Sequence, residues 1–430
     1  MNFDGTRYFL QSIKSGQTFA DSGWTLDAPG ESEPTLIRAI YEHRQLTLQP
    51  QLPGLYQFAQ WLPIQRLLEG SSSPITYKSE HLANMLNLHQ LWITFSGWWP
   101  EKEAFMSTCS FKETEAYAVC GRMDSRNSGI LVVASAGNTA RAFAKVCSDN
   151  NIPLLLCVPE DNLDALWFEH PLNDHVKLIC SPRGSDYFDA IHLSNIVAGM
   201  EGFVAEGGAR NVARRDGMGT TMLSAVTTIG AIPDLYFQAI GSGTGAIAAW
   251  EANLRFLADG RYGKNKTRLM VSQNVPFIPI HDAWKAGSRA MLPLDDTLAR
   301  KQVEAIDAKV LSNRKPPYPP AGGLYDALTD SKGDVLLATN EEAAEAANLF
   351  LSSEGIDIHP AAAVATASLI SEVRKGNVDP NATIMLNITG GGEERFKQGK
   401  QLHYLKPNWV ASMDPSSDEV MANVRQLFNI

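Results

Sequence analysis

One lysine stands where a helix is predicted to begin, in the stretch "TCSFKETEAY". Ser110 and Glu113 have the spacing of a capping box, which predicts Ser110 at the N-cap and Lys112 in the first turn. The positive end of a helix disfavours an ammonium group, and partial burial beside Phe111 would add to that effect, so we expect a lowered pKa for Lys112. Such an amine can form a Schiff base and act as a base. The simpler alternative is a solvated lysine balanced by Glu113 and Glu115.

A glycine-rich turn follows a predicted strand in "AIGSGTGAIAAW". Gly241, Gly243 and Gly245 leave backbone N–H groups free to hold an anion at a helix start, and Ser242 and Thr244 add hydroxyl donors. We interpret the turn as a cradle for a phosphate monoester; a tight turn without a ligand is the alternative. The pattern also matches G-x-G-x-x-A, which makes an NAD-binding oxidoreductase a further candidate. The next strand, "RLMVSQN", ends without the acid that binds the ribose, which counts against that candidate.

Two further strand ends carry polar residues. In "ASAGNTARAFA" the loop Ser135–Asn138 precedes a helix predicted from about Thr139, and it offers N–H groups to an anion such as a carboxylate. An ordinary N-cap explains these residues equally well. In "ITGGGEE" Thr389 ends a strand, where open α/β sheets bind ligands, although a plain glycine turn is the alternative. Together with Lys112 and the glycine turn, these are the parts of a pyridoxal-phosphate site.

The elements that must position these residues alternate between strands and helices. Continuous apolar runs such as Ile130–Ala134 indicate strands covered on both faces, so we predict an α/β fold with parallel sheets. We divide the chain into an N-terminal arm or hairpin (1–50), a large cofactor-binding domain (51–127 with 233–430) and a small substrate-loop domain (128–232). The Pro/Gly-rich loop "SNRKPPYPPAGG" is long and stiff, as functional or interface loops often are.

Composition excludes several classes of function. A net charge of −10 disfavours general binding to nucleic acid or to an anionic membrane. The five cysteines form no CxxC pair, so we predict neither a disulfide framework nor a metal site. No apolar run approaches the roughly 18–20 residues of a membrane span, and "MNFDGTRYFL" does not have a signal-peptide profile. We therefore expect a cytoplasmic protein.

The order of "SFKE", "SAGNTARAFA", "GSGTGAIAAWEA" and "TGGG" resembles the threonine-synthase-like branch of the fold-type II pyridoxal-phosphate enzymes. Longer stretches, among them "FSGWWPEKEAFMSTCSFKE" and "EGGARNVARRDGMGTTML", are more similar still to the cysteate synthase family. The resemblance covers roughly residues 40–395. It implies a tryptophan synthase β-like fold: two open, mostly parallel sheets with helices on both faces and the cofactor between two domains.

The resemblance also implies a role for each matched residue. Lys112 would hold the cofactor as a Schiff base, Asn138 would bind the ring hydroxyl and Thr389 would face the ring nitrogen. The cofactor phosphate would be held by Gly241, Ser242, Gly243, Thr244 and Gly245. The substrate carboxylate would be taken by Ser135, Ala136, Gly137 and Thr139. The cations considered for the substrate phosphate are Lys78, Arg210, Arg214, Arg215 and Arg314, of which we expect at most two or three to bind it.

The activity implied by the resemblance is a β-replacement on O-phospho-L-serine, through an aminoacrylate, with sulfite giving L-cysteate and phosphate. Lys112 would move the Cα proton. The alternatives are threonine-synthase-type β- or γ-replacement on another phosphorylated amino acid, and a different nucleophile such as a thiol or an amine. A catalytically inactive regulator is disfavoured by the intact lysine. The family habit implies a homodimer that acts on small molecules.

Overall fold

A computed structural model describes residues 3–124, 129–135 and 137–430 of the chain. Among them, a six-stranded sheet and a five-stranded sheet carry the predicted site residues at their edges. We name these the large sheet and the small sheet. None of the described helices is long and apolar enough to cross a membrane.

The large sheet is parallel except at one edge, where Ile75–Lys78 runs antiparallel to Gln90–Phe95. Its central strand is Leu235–Ala239, which carries the glycine turn at its carboxyl end. The strands in spatial order are Asp334–Ala338, Arg268–Asn274, Leu235–Ala239, Thr383–Ile388, Gln90–Phe95 and Ile75–Lys78.

The small sheet is parallel throughout its described strands. Its strand Ile130–Ala134 has the bounds predicted from the sequence and leads into the loop that contains Asn138. The strands in spatial order are Phe203–Ala205, Ile130–Ala134, Leu154–Pro159, Val176–Ser181 and Trp409–Val410.

Both sheets are covered on both faces, as the continuous apolar runs predicted. Tyr236 and Phe237 are adjacent in one strand of the large sheet, yet they belong to different buried clusters. In the small sheet, the adjacent residues Leu154 and Leu155 likewise belong to different buried clusters. Because successive side chains of a strand point to opposite faces, each sheet has a packed layer on either side. The predicted α/β class is therefore confirmed.

The helices fill these layers, and one of them separates the two sheets. The helix Lys112–Arg122, named the lysine helix, packs against Asn138–Asp149 on one side and Val212–Ile229 on the other. The described α-helices are His81–Met85, Lys112–Arg122, Asn138–Asp149, Tyr187–Ala198, Val212–Ile229, Thr244–Asp259, Pro279–Lys285, Asp296–Ala305, Leu324–Ser331, Asn340–Glu354, Pro360–Arg374, Glu393–Lys397 and Ser417–Phe428.

Short elements complete the fold. The predicted N-terminal arm contains a three-stranded antiparallel sheet of Thr18–Phe19, Tyr8–Ser12 and Ile37–Tyr41. Two small ribbons pair Trp98–Trp99 with Ala104–Phe105 and Trp167–Phe168 with His403–Tyr404. The 3₁₀ turns are Gly54–Trp61, Pro100–Lys102, Glu160–Ala165, Gly208–Arg210 and Lys309–Leu311.

Two segments make contacts across the predicted division of the chain. Trp409–Val410 pairs with Val176–Ser181 in the small sheet, and Ser417–Phe428 packs against Tyr187–Ala198, the helix that lies on the same sheet. Val212–Ile229, predicted in the small domain, packs against the lysine helix and Thr244–Asp259. A two-residue strand is too short to give a periodic signal, and a helix buried on nearly all sides shows no amphipathic face.

Candidate active site

Lys112 is the first residue of the lysine helix, and the chain just before it is tied to the end of a large-sheet strand. The N–H of Phe111 donates to the carbonyl oxygen of Thr389 at 2.9 Å. Ser110 forms an antiparallel bridge with Gly390. These backbone contacts bring Lys112 and Thr389, which lie far apart in sequence, to one place.

The predicted capping box does not form in that arrangement. The Ser110 hydroxyl accepts from the N–H of Lys112 at 3.3 Å. The Glu113 carboxylate accepts instead from the N–H and the hydroxyl of Thr108, at 3.0 and 2.8 Å. Thr108 offers Glu113 two donors where the capping box would have offered one. Ser110 and Glu113 still fix the start of the helix, but through other partners.

The Lys112 ammonium belongs to a buried chain of alternating charges. Its Nζ lies 3.0 Å from Oε2 of Glu115, and Oε1 of Glu115 lies 2.9 Å from Arg214. Arg214 also contacts Glu206 at 2.5 Å. Burial is the main cause that lowers the pKa of Lys112; Glu115 opposes the shift and Arg214 adds to it. The expected direction is correct, and its principal cause is desolvation rather than the helix end.

The glycine turn is as tightly packed as its composition suggested. Gly243 has φ +78°, and a Cβ on Gly241 would lie 2.8 Å from the carbonyl oxygen of Val310. The hydroxyls of Ser242 and Thr244 lie 2.9 Å apart. Thr244 begins a sixteen-residue helix, whose first N–H groups have no intrahelical acceptor. The N–H of Thr244 donates to the Ser242 hydroxyl at 3.2 Å. The following N–H groups of the first turn and the two hydroxyls suit a phosphate.

Asn138 is oriented by an arginine that the sequence did not single out. Arg141 is 2% exposed, and it donates to Oδ1 of Asn138 at 3.0 Å. A guanidinium has no acceptor, so the amide oxygen of Asn138 must face Arg141 and the NH₂ group is free to donate elsewhere. Arg141 is held by the carbonyl oxygens of Ala165, at 2.7 Å, and Thr108, at 3.0 Å.

The loop before Asn138 already makes hydrogen bonds that cap the helix which follows it. The Ser135 hydroxyl accepts from the N–H groups of Gly137 and Ala140, both at 3.0 Å, and so caps the helix Asn138–Asp149. Gly137 and Thr139 line the adjacent cavity together with Ser135. Ala136 lies outside the described residues.

Three connected spaces surround these groups. A central chamber of about 70 Å³ is lined by Gly241–Gly245, Lys112, Asn138 and Thr389. The cationic cavity, about 430 Å³, is lined by Lys112, Arg210, Arg214 and Lys315, and no carboxylate occurs among its described lining residues. The acidic cavity, about 450 Å³, is lined by Arg141, Lys309, Lys397, Asp164, Asp307, Asp357, Glu393 and Glu394. Asn138 and Val310 line all three spaces.

A larger cavity, about 1010 Å³, lies elsewhere. It is lined by the N-terminal sheet and by Arg122 at the far end of the lysine helix. None of the predicted site residues is among its described lining residues. Size alone therefore does not identify the site; the convergence of polar groups does.

Three of the five cations considered from the sequence do not line the cationic cavity. Lys78 pairs with Trp92 near the amino-terminal edge of the parallel sheet, whereas the chamber lies at the carboxyl edge. Arg314 binds Asp186 at 2.7 Å and Asp296 at 2.9 Å. Neither residue lines the cationic cavity, so the structure does not bring them together with the other predicted site residues. Arg215, which is buried with Glu251, does not line it either.

Four polar residues of that cavity were missed by the sequence reasoning. Ser312, Asn313 and Lys315 belong to "SNRKPPYPPAGG", which was singled out as a functional loop without roles for its residues. Tyr187, at the start of Tyr187–Ala198, gave no signal in the sequence.

These groups fit the pyridoxal phosphate that the resemblance implies. A buried amine with a lowered pKa, a phosphate-binding turn, an oriented amide donor and a strand-end hydroxyl all border one chamber. The cationic cavity opens beside the amine and offers room for an anionic substrate.

Comparison with known proteins agrees with this geometry. Residues 94–390 match the family described as "Pyridoxal-phosphate dependent enzyme". The cysteate synthase of Methanosarcina barkeri is 48% identical over 413 residues, covering 96% of this chain and 98% of that protein. The cysteate synthase of Methanosarcina mazei is 47% identical, covering 96% and 99%.

Solved structures share the fold at much lower identity. Maize serine racemase matches with a TM-score of 0.57 and 16% identity, over 74% of this chain and 88% of that one. Threonine deaminase isoform 2 from Solanum lycopersicum matches with a TM-score of 0.55 and 16% identity, over 74% and 83%. The predicted fold type is thereby confirmed.

Proposed function

We propose that this chain, which belongs to the pyridoxal-phosphate-dependent enzyme family and to the cysteate synthases within it, joins O-phospho-L-serine and sulfite to give L-cysteate and phosphate. The observation that carries the proposal is the position of Lys112. Its amine borders both the chamber with the glycine turn and the cavity whose charged lining is entirely cationic among the described residues. In the reaction a C–O bond at Cβ breaks and a C–S bond forms.

Pyridoxal phosphate, when bound, supplies the electron sink that allows a proton to leave Cα of an amino acid. We propose that Lys112 anchors it, and that Gly241, Ser242, Gly243, Thr244 and Gly245 hold its phosphate. Asn138 would donate to its ring oxygen, since Arg141 occupies the amide oxygen. Thr389 would meet its ring nitrogen as a neutral partner, which favours elimination over transamination.

The chain's own groups divide the remaining work. Lys112 takes the Cα proton and returns it, and its lowered pKa leaves more of the amine neutral for that task. The N–H groups of the loop from Ser135 to Thr139 hold the substrate carboxylate. Cations of the cationic cavity stabilise the phosphate as it departs.

The alternative functions differ in how well they are supported. Membership of a pyridoxal-phosphate family excludes the NAD-binding oxidoreductase. Replacement on O-phosphohomoserine, or with a thiol or an amine, is the second candidate, since these nucleophiles would use the same lysine. The homodimer and the cytoplasmic location stay predictions; sedimentation analysis of the purified protein checks the first.

The test has two parts. The purified holoenzyme should absorb in the visible range, and borohydride should bleach the band and leave a label on Lys112. Incubation with O-phosphoserine should then release phosphate and, when sulfite is present, form cysteate. Phosphate release from O-phosphohomoserine but not from O-phosphoserine would overturn the assigned substrate. A colourless protein would overturn the site.

A further inference from the structure

The cations of the cationic cavity differ in how fully they are neutralised. Arg214 contacts two buried carboxylates, Glu115 and Glu206, so its charge is already balanced. Lys112 is required by the cofactor. Among the described residues, Arg210 is paired only with Asp27, and both side chains are at least half exposed. Exposed ion pairs of this kind are weak, so an anion can replace Asp27.

Lys315 is the other cation available to a ligand. No carboxylate partner contacts its ammonium within the part of the chain that the structure describes. The Nζ atom instead lies 4.4 Å from the centroid of the Phe188 ring. A cation above an aromatic ring keeps its charge and stays available to an anion.

The position of Lys315 is fixed by its neighbour. Arg314 joins Asp186, the N-cap of Tyr187–Ala198, to Asp296, and its side chain is only 10% exposed. Arg314, which sequence reasoning assigned to the substrate phosphate, is therefore an anchor for the loop. Pro316, Pro317 and Pro320 of the same loop line the cavity and stiffen it.

We propose that Lys315 and Arg210 form one oxyanion subsite, which holds the phosphate group of O-phosphoserine and then, after phosphate has left, the incoming sulfite. The inference rests on the proposed function and names the groups that serve both anions. Phosphate leaves with the electron pair of the C–O bond, the sulfur lone pair of sulfite forms the C–S bond, and the proton taken from Cα returns to it.

A single shared subsite follows from the distribution of charge. Phosphate and sulfite are both small oxyanions with up to two negative charges. The lining of the acidic cavity carries five carboxylates against three cations, Arg141, Lys309 and Lys397, so its net negative charge disfavours both anions. The cationic cavity is therefore the entrance that suits either of them.

The test compares Lys315→Gln with Lys309→Gln in the holoenzyme. Lys309 lies on the acidic cavity, and its ammonium donates to the carbonyl oxygens of Val303 and Glu304. Binding of inorganic phosphate is measured by calorimetry without turnover, and the KM values are measured for O-phosphoserine and for sulfite. We expect Lys315→Gln to weaken phosphate binding about tenfold and to raise both KM values by a similar factor, because one charge-assisted contact is lost. Lys309→Gln should change none of them.

Inhibition by the product gives a second measurement. Inorganic phosphate should compete with sulfite, and its inhibition constant should rise in Lys315→Gln by the factor seen in calorimetry. Lys315→Arg should restore most of the binding, which a loss of folding in the glutamine variant would not explain. Arg314→Met should weaken phosphate binding as well, because the loop loses its anchor.

The outcomes separate this inference from the proposed function. If only the KM for O-phosphoserine rises, or if phosphate does not compete with sulfite, the shared subsite is wrong. Unchanged phosphate binding in Lys315→Gln rules out the role of Lys315. If phosphate binding falls as expected but sulfite yields no cysteate, the proposed nucleophile is wrong and the oxyanion subsite stands.

Discussion

The two cavities that meet at Asn138 and Val310 are nearly equal in volume and opposite in charge. In the acidic cavity, Glu393 is the centre of a network of charged groups. Glu393 lies 2.8 Å from His359, 2.6 Å from Lys397 and 3.4 Å from Arg141. In the cationic cavity Lys315 and Arg210 have no buried carboxylate partner among the described residues.

This difference separates charges that build the site from charges that serve a ligand. Burial disfavours the charged form of Glu393, but His359 and Arg141 outweigh burial and hold its pKa well below the usual range. Such a network holds in place the side chains that line the acidic cavity. Cations without a buried carboxylate partner stay solvated while the cavity is empty. They can bind an anion when one enters the cavity. The number of charges around a cavity therefore says less than their pairing.

Among the substitutions that test the difference between the two cavities, we expect the largest effect from Lys112. Lys112→Ala should lower kcat/KM by about a thousandfold or more, since the group that anchors the cofactor and moves the proton is lost. The matched change on the acidic cavity, Lys309→Ala, should leave kcat/KM within about twofold, as exposed substitutions usually do. Steady-state kinetics with O-phosphoserine and sulfite checks both. Equal losses would remove the distinction between the two cavities.

Asn138→Asp tests the residue that lines both cavities. The carboxylate should keep Arg141 as a partner, so the apo protein should melt no lower than the parent. The donor to the cofactor is lost, so cofactor affinity should fall by about ten- to a hundredfold. Thermal melting of the apo protein and fluorescence titration with pyridoxal phosphate provide the measurements. Unchanged affinity would mean that the amide has the opposite orientation.

A reversal of charge should act on one cavity only. Arg210→Glu should raise the KM for O-phosphoserine about tenfold, since it places a negative charge beside the substrate phosphate. Lys309→Glu makes the same change on the acidic cavity and should have almost no effect. A similar rise in both variants would indicate that only the overall net charge matters. High salt should reduce the effect of Arg210→Glu, because the side chain is half exposed.

The smallest effect concerns pH. Cofactor binding by the apo protein needs the neutral amine of Lys112, so its rate should rise with pH, and the midpoint of the rise should lie below 10.5, because burial lowers the pKa of Lys112. Glu115 raises that pKa, so Glu115→Gln should move the profile to lower pH. Stopped-flow absorbance measures it. A shift to higher pH in Glu115→Gln would contradict the ion pair, and Glu393→Gln should leave the profile unchanged.

The sequence predicted what depends on local pattern. Ile130–Ala134, the glycine turn and Thr389 each follow from a few neighbouring residues, and they lie where parallel strands end. Arg141 and Lys315 could not be found in this way, because their roles depend on contacts with Asn138 and with the Arg314 anchor. The positions of Lys78 and Arg314 away from the cationic cavity could not be predicted, because a positive charge in the sequence does not reveal where the fold places it. The capping box failed because Thr108 competes for Glu113.

The strand Trp409–Val410 has a consequence for synthesis. It pairs with one edge of the strand Val176–Ser181. Just before it, the side chain of Asn408 accepts a hydrogen bond at 2.8 Å from the N–H of Leu178, which lies 230 positions earlier in the chain. A ribosome adds about 5–20 residues per second, so that edge waits roughly ten to fifty seconds for its partner. An unpaired apolar edge is a template for the wrong strand. We expect the nascent chain to depend on chaperones during this interval and substitutions at Asn408 to lower the yield of soluble protein before they alter catalysis.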